Sequence, residues 1–221
     1  MPHQKEPFRL NSLKDIQHIE CIIEQQKHDH SSKGLVFFGS ARLQETNQHY
    51  QAAYRVAKEC AKKGYFIISG GGGGIMEAAN RGAKEVGTLS VGLNIRLAFE
   101  QFPNPYLDME IMFEEFWLRK LFFDRIASTF ILFAGGFGTL DELFDILVLI
   151  QTQKRTKRPI ILYGEEFWQP MIKFFSDSLL QQGCINANEL NLLQIANSTE
   201  EVLKILSPSK DLRKKMLEGK I

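Results

Sequence analysis

The residues with the greatest chemical reach in this sequence lie where apolar runs give way to glycine. Ser69 is followed by five consecutive glycines, Gly70 to Gly74, and then by Ile75-Met76-Glu77. A second turn reads Gly135-Gly136-Phe137-Gly138-Thr139-Leu140-Asp141-Glu142, and a third, Gly39-Ser40-Ala41-Arg42, follows the apolar run Leu35-Val36-Phe37-Phe38. A strand that ends in glycines and enters a helix presents bare backbone N–H groups at a helix N-terminus. That arrangement suits an anion, most often a phosphate. Several such turns in one small domain point to a pocket for a phosphorylated ligand at the carboxyl edge of a parallel sheet. Thr139 can both cap its helix and donate its hydroxyl to a phosphate oxygen.

The charged candidates are Glu142 and the pair Arg119-Lys120. Thr139 to Glu142 has the spacing of a capping box, in which the acid closes a helix start. The same carboxylate could stabilise positive charge or orient a water molecule. Both roles want it ionised, and a helix N-terminus is expected to keep its pKa low. Arg119-Lys120 sits within the aromatic stretch Phe113 to Phe123. There the two cations are either snorkelling from a buried helix or binding an anion at a pocket wall. The sequence contains no GxxxxGK[ST], GxGxxG, HExxH or GxSxG, so the common phosphate-loop, dinucleotide, zinc-protease and serine-hydrolase chemistries are not indicated.

These groups need elements to hold them. Apolar spacing and turn residues predict helices over Asn11 to Gln26, Asn47 to Lys63, Ile75 to Val86, Phe116 to Ala127, Thr139 to Gln153, Phe167 to Gln182 and Ser198 to Leu206. Strands are predicted over Leu35 to Phe38, Tyr65 to Ile68, Leu89 to Leu93, Glu110 to Phe113, Thr129 to Phe133, Pro159 to Tyr163 and Asn191 to Ile195. Continuous apolar strands alternating with helices predict an α/β fold, a doubly wound parallel sheet in a single domain with helices on both faces. The helix after Thr139 is apolar nearly all round. Either a second subunit covers it or the N-terminal segment does.

Composition bounds the rest. The chain has 221 residues, 44% of them hydrophobic, and a net charge of +1. That is enough for one good-sized core, and it gives no global field toward nucleic acid. The basic run Lys154 to Arg158 is expected to be a solvated face. Three scattered cysteines suggest neither a disulfide framework nor a metal cluster, and His28 and His30 are expected to lie in a polar linker rather than bind metal. No signal core and no membrane-length apolar run occurs, so a cytoplasmic protein is expected, without membrane or metal partners.

Taken together, Gly135-Gly136-Phe137-Gly138-Thr139-Leu140-Asp141-Glu142 resembles the PGGxGTxxE motif of the LOG family, often labelled "lysine decarboxylase". Gly71 to Ala83 is similar to that family's GGGxGIMEAANRGA segment, Phe37 to Ala41 to its first-strand turn, and Arg119-Lys120 to its RK pair. Gly92 to Ile95, Glu100-Gln101 and Pro103 to Tyr106 resemble one bacterial branch. The resemblance implies a Rossmann-like homodimer that hydrolyses nucleoside 5'-monophosphates, AMP or cytokinin riboside monophosphates, to free base and ribose 5-phosphate. It implies no cofactor, and no lysine motif for pyridoxal phosphate stands out. By the same resemblance, Arg119 and Glu142 are the catalytic pair. Gly39, Ser40, Gly71, Gly72, Met76, Glu77, Lys120, Gly135, Gly136, Phe137, Gly138 and Thr139 are the expected substrate and phosphate ligands. Base-reading residues are expected between Arg96 and Asp108. The family's leading proline is Ala134 here, and a proline often seen in the first glycine cluster is Gly73. The alternative is a non-catalytic carrier or sensor of a nucleotide-like ligand on the same fold. The expected organisation is an N-terminal helix and linker over 1–33, the catalytic domain over 34–207 and a charged tail over 208–221.

Overall fold

Strands that are apolar on both faces need cover on both faces, and the chain supplies it. In the computed structural model, residues 8–10, 13–26, 33–97 and 102–207 are described. Eight strands form one sheet: β1 (Phe8–Leu10), β2 (Gly34–Phe38), β3 (Phe66–Ser69), β4 (Ser90–Ile95), β5 (Met109–Phe113), β6 (Ala127–Leu132), β7 (Ile160–Tyr163) and β8 (Leu193–Ala196). Every pairing is parallel, in the order β1-β5-β4-β3-β2-β6-β7-β8. The helices are α1 (Leu13–Gln26), α2 (Gln48–Lys62), α3 (Ile75–Val86), α4 (Phe116–Ile126), α5 (Phe137–Gln151), α6 (Glu165–Phe174), α7 (Ala187–Leu190) and α8 (Thr199–Leu206). α6 runs on into a π-helical stretch, Phe175–Leu180.

Two cores sandwich the sheet. One packs Ile19 and Ile23 of α1, Phe122 of α4, Leu143 and Ile146 of α5 and Trp168 of α6 against β-strand residues such as Val36 and Phe130. The other packs Val56 of α2, Ala79 of α3 and Val202 of α8 against Leu35, Ile67 and Ile161. The fold is therefore Rossmann-like, with helices on both faces, as the sequence predicts. From β2 the strands run outward through β3, β4 and β5. From β6 they run the other way. The order reverses between β2 and β6, and the crevice at that reversal is where such sheets take their ligands.

Local signals set most boundaries. α3 matches its predicted limits because Gly87 closes it in a left-handed conformation. Asn47 caps α2 through its side chain, and Ser198 caps α8. β1 and α7 were not anticipated, and α5 begins at Phe137 rather than Thr139. The run Lys154 to Arg158 is not simply a solvated face. Arg155 and Arg158 both pair with the buried Asp124, and Arg158 also donates to backbone carbonyls of Asp124 and Ala127. The segments Met1 to Glu6, His28 to Ser32, Glu100-Gln101 and Pro208 to Ile221 lie outside the described residues.

The glycine run after β3 is under a tight steric constraint at its last member. Gly74 has φ 65°, and a side chain there would overlap the backbone of Ser40 and Ala41. A Gly74→Ala substitution combines strain of about 1–3 kcal/mol with that collision. It should lower the melting temperature markedly in a thermal scan, whereas Gly64→Ala, at a site with open space but similarly positive φ, should show the backbone strain alone.

Candidate active site

Three strand ends converge at the crevice. Ser40 fixes them together: its N–H donates to the Ala134 carbonyl at 3.0 Å, and its carbonyl accepts from the Ile75 N–H at 3.0 Å. The turn after β2 is thereby bound to the turn after β6 and to the first residue of α3. Phe133 adds a further tie, donating its N–H to the Phe38 carbonyl. The result is a cavity of about 770 Å³.

One wall is the start of α5. Gly136 takes the N-cap position without any side-chain cap, so the leading N–H groups of Phe137 and Gly138 have no partner within the helix. Thr139 is buried and lines the same wall. Phe137 itself is 91% exposed at the rim. Uncapped amides, a buried hydroxyl and a helix N-terminus are groups that can receive an anion.

One turn further along α5 the same cavity is lined by a charge pair. Arg119 of α4 donates from Nη2 to Glu142 Oε1 at 3.1 Å, with side-chain exposures of 14% and 5%. The guanidinium lies 5.3 Å from the Phe116 ring centroid and 5.7 Å from that of Phe123, so two rings clamp it. Its Nε is buried without a hydrogen-bond partner. Because α5 starts at Phe137, Glu142 falls in the second turn rather than at the capping position. The capping-box reading therefore fails: its side chain is spent on Arg119. The expected low pKa is also corrected. Burial pushes the Glu142 carboxyl above the ordinary glutamate range, and the charges of Arg119 and Lys120 pull it partly back.

Of the residues expected here, Gly39, Ser40, Met76, Arg119, Gly135, Gly136, Phe137, Gly138, Thr139 and Glu142 line the cavity. Gly71, Gly72, Glu77 and Lys120 do not. Glu77 instead accepts a hydrogen bond from Tyr50 at 2.8 Å, joining α3 to α2. Lys120 is held by Asp141 at 2.7 Å, with Asp145 at 3.9 Å. The sequence reading missed Arg42, Asn94, Phe116 and Phe123, which also line the cavity. The aromatic richness of the Arg119 segment was the available signal for the last two. No group of three or more His, Cys, Asp or Glu side chains suited to a metal occurs among the described residues.

This geometry can be set beside known proteins. The family model described as "Possible lysine decarboxylase" matches residues 76–206. The chain belongs to this family, the LOG family. A cytokinin riboside 5'-monophosphate phosphoribohydrolase of Mycobacterium tuberculosis is 26% identical over 161 residues, covering 72% of this chain and 86% of that protein. One from Arabidopsis thaliana is 24% identical over 173 residues, covering 77% and 80%. An uncharacterised protein of Archaeoglobus fulgidus is 33% identical over 118 residues, covering 52% and 75%. Among solved structures, the molybdenum cofactor binding protein from Rippkaea orientalis superimposes with a TM-score of 0.60 at 23% identity, covering 80% of this chain and 97% of that one. That likeness shows the fold. No described helix is long and apolar enough to cross a membrane.

The electrostatics can be read directly. With burial raising the Glu142 pKa and Arg119 lowering it, the carboxyl should titrate above the ordinary 4.5. Replacing Arg119 with Gln removes the stabilising charge, so the midpoint should move higher still. Carbon-detected NMR of the glutamate carboxyls checks both; a Glu142 midpoint at or below 4.5 would contradict the burial argument.

Proposed function

We propose that this protein hydrolyses the N-glycosidic bond of a nucleoside 5'-monophosphate, of the AMP or cytokinin riboside monophosphate type, to release free base and ribose 5-phosphate. The observation that carries the reading is the buried Arg119–Glu142 pair lining the same cavity as the uncapped start of α5. Relatives named as cytokinin riboside 5'-monophosphate phosphoribohydrolases support it.

Breaking the bond between base and ribose builds positive charge on the sugar. A carboxylate beneath C1' stabilises that charge and aligns the attacking water. Glu142 takes this role in its ionised form. Arg119 keeps it ionised against burial and holds the ribose phosphate and departing base in register. The amides of Phe137 and Gly138, with the Thr139 hydroxyl, anchor the phosphate, so binding energy far from the reacting carbon positions it.

Purified protein incubated with AMP should release adenine and ribose 5-phosphate, separable by chromatography. Glu142→Gln should still bind AMP while its turnover falls at least about a hundredfold. Because the ionised acid is the active form and its pKa is raised, the acid limb of the wild-type rate profile should lie above the ordinary glutamate value. AMP that binds and stays intact, across a panel of nucleotides, would make the protein a carrier instead.

We also propose that the working form is a homodimer joined through α5. The second face of that helix leaves Phe144 42% and Val148 52% exposed, a stripe of apolar surface suited to a second copy. Light scattering should report two chains per particle for the wild type and one for Val148→Glu. A dimer that survives the substitution places the interface elsewhere.

A further inference from the structure

Arg42 lies in the turn that follows β2 and lines the cavity. That turn is pinned beside the start of α5. Ser40 donates its N–H to the Ala134 carbonyl, shortly before Gly136, and the Arg42 N–H donates to Ser40 Oγ at 3.1 Å. Arg42 is exposed. Arg81, Arg96, Arg125, Arg155 and Arg158 each hold a carboxylate. Arg42 holds none among the described residues.

The charged side chains lining the cavity are Arg42, Arg119 and Glu142. Arg119 and Glu142 answer each other at 3.1 Å, so one positive charge is left over. The helices that open onto the cavity add to that sign. α3 and α5 both start at glycine N-caps without a side-chain cap, and a helix start carries the positive end of the dipole. Thr139 points the same way by a separate route. It is 6% exposed and lines the cavity, and its hydroxyl makes no hydrogen bond among the described residues. Gly135 leaves room for it, since a side chain there would overlap Thr139 Oγ1. A buried hydroxyl without a partner needs a reason. Set among amide donors and a guanidinium, it is completed by an acceptor.

We propose that Arg42 is the cation that binds the ligand's phosphate, and that it makes the cavity select a phosphate monoester over the unphosphorylated form. The inference rests on the nucleotide reading given above. One helix N-terminus supplies about +0.5 of a charge, whereas a phosphate monoester carries about −1.5 to −2 at neutral pH. The full charge of a guanidinium closes much of that difference, and its planar fork matches two phosphate oxygens. Exposure fits this role. A buried, unpaired arginine would be costly in the empty protein, while an exposed one stays in water until an anion arrives.

Calorimetry tests this with ribose 5-phosphate on the otherwise unaltered chain, and with AMP and adenosine in a Glu142→Gln background so that the nucleotide survives. Arg42→Gln should weaken ribose 5-phosphate and AMP at least about tenfold and leave adenosine within about twofold, the pattern of one lost charge-assisted contact. Arg42→Lys should recover part of the loss, since the charge is kept and the fork is not. Affinity for ribose 5-phosphate should fall as salt rises, and that dependence should flatten in the Gln variant. Melting temperatures should stay together, because the side chain is exposed and holds no ion pair. An Arg42→Gln protein that binds ribose 5-phosphate as tightly as its parent, or that loses AMP and adenosine alike, would overturn the assignment. A parent that binds none of the three would instead overturn the nucleotide reading itself.

Discussion

Both backbone groups of Ser40 are committed to other loops, and the geometry of the cavity follows from that. Its N–H holds the turn after β6 and its carbonyl holds the first residue of α3. β2 lies between β3 and β6, so a single residue at its end can reach loops on both sides. Without those ties, three separate strand-to-helix turns could each make an anion site of their own. With them, the turns face one volume. Gly74 is small for the same reason: it passes against the backbone of Ser40 and Ala41.

The Arg119–Glu142 pair is weak as a stabilising contact. Taking a carboxylate and a guanidinium out of water costs several kcal/mol per ion, and one hydrogen bond at 3.1 Å recovers only part of it. The raised Glu142 pKa is the signature of that deficit. An apolar pair on α4 and α5 would pack against the surrounding core at least as well. The rings of Phe116 and Phe123 fix the guanidinium while leaving its Nε without a partner. Such an arrangement makes sense where charge develops and must be met by groups already in place.

Legibility from the sequence tracked the range of the interaction. α3 was bounded correctly because glycine marks both of its ends. The strands were found because burial on both faces leaves an uninterrupted apolar run. β1 was missed because three residues carry no periodic signal; its pairing with β5 is the whole reason it is a strand. The capping reading of Glu142 arose because Thr139 and Glu142 have capping spacing, while the partner that engages the acid lies 23 residues earlier on another helix. Lys120 and Glu77 were expected at the site by motif; Asp141 and Tyr50 hold their side chains off the cavity lining, while the charge of Lys120 still acts on Glu142. Asn94 was invisible as a lining residue because its buried position is made by a loop folding over it.

The two ends of the cavity follow different rules. The α5 end is built from backbone N–H groups and one hydroxyl, groups suited to an anion whatever that anion is attached to. The fold itself is shared with a molybdenum cofactor binding protein, and a fold alone does not decide chemistry. Chemistry has to be decided by side chains placed away from the phosphate. Among the described residues lining this cavity, the buried charges are Glu142 and the guanidinium of Arg119 that holds it, and Asn94 lies beneath the glycine loop. The buried lattice of Ser69, Asn80, Ser90 and Asn104 holds that loop through the Gly72 carbonyl and the Gly71 backbone. Rigid support there fixes the glycine loop against β4, and with it the shape of that end of the cavity.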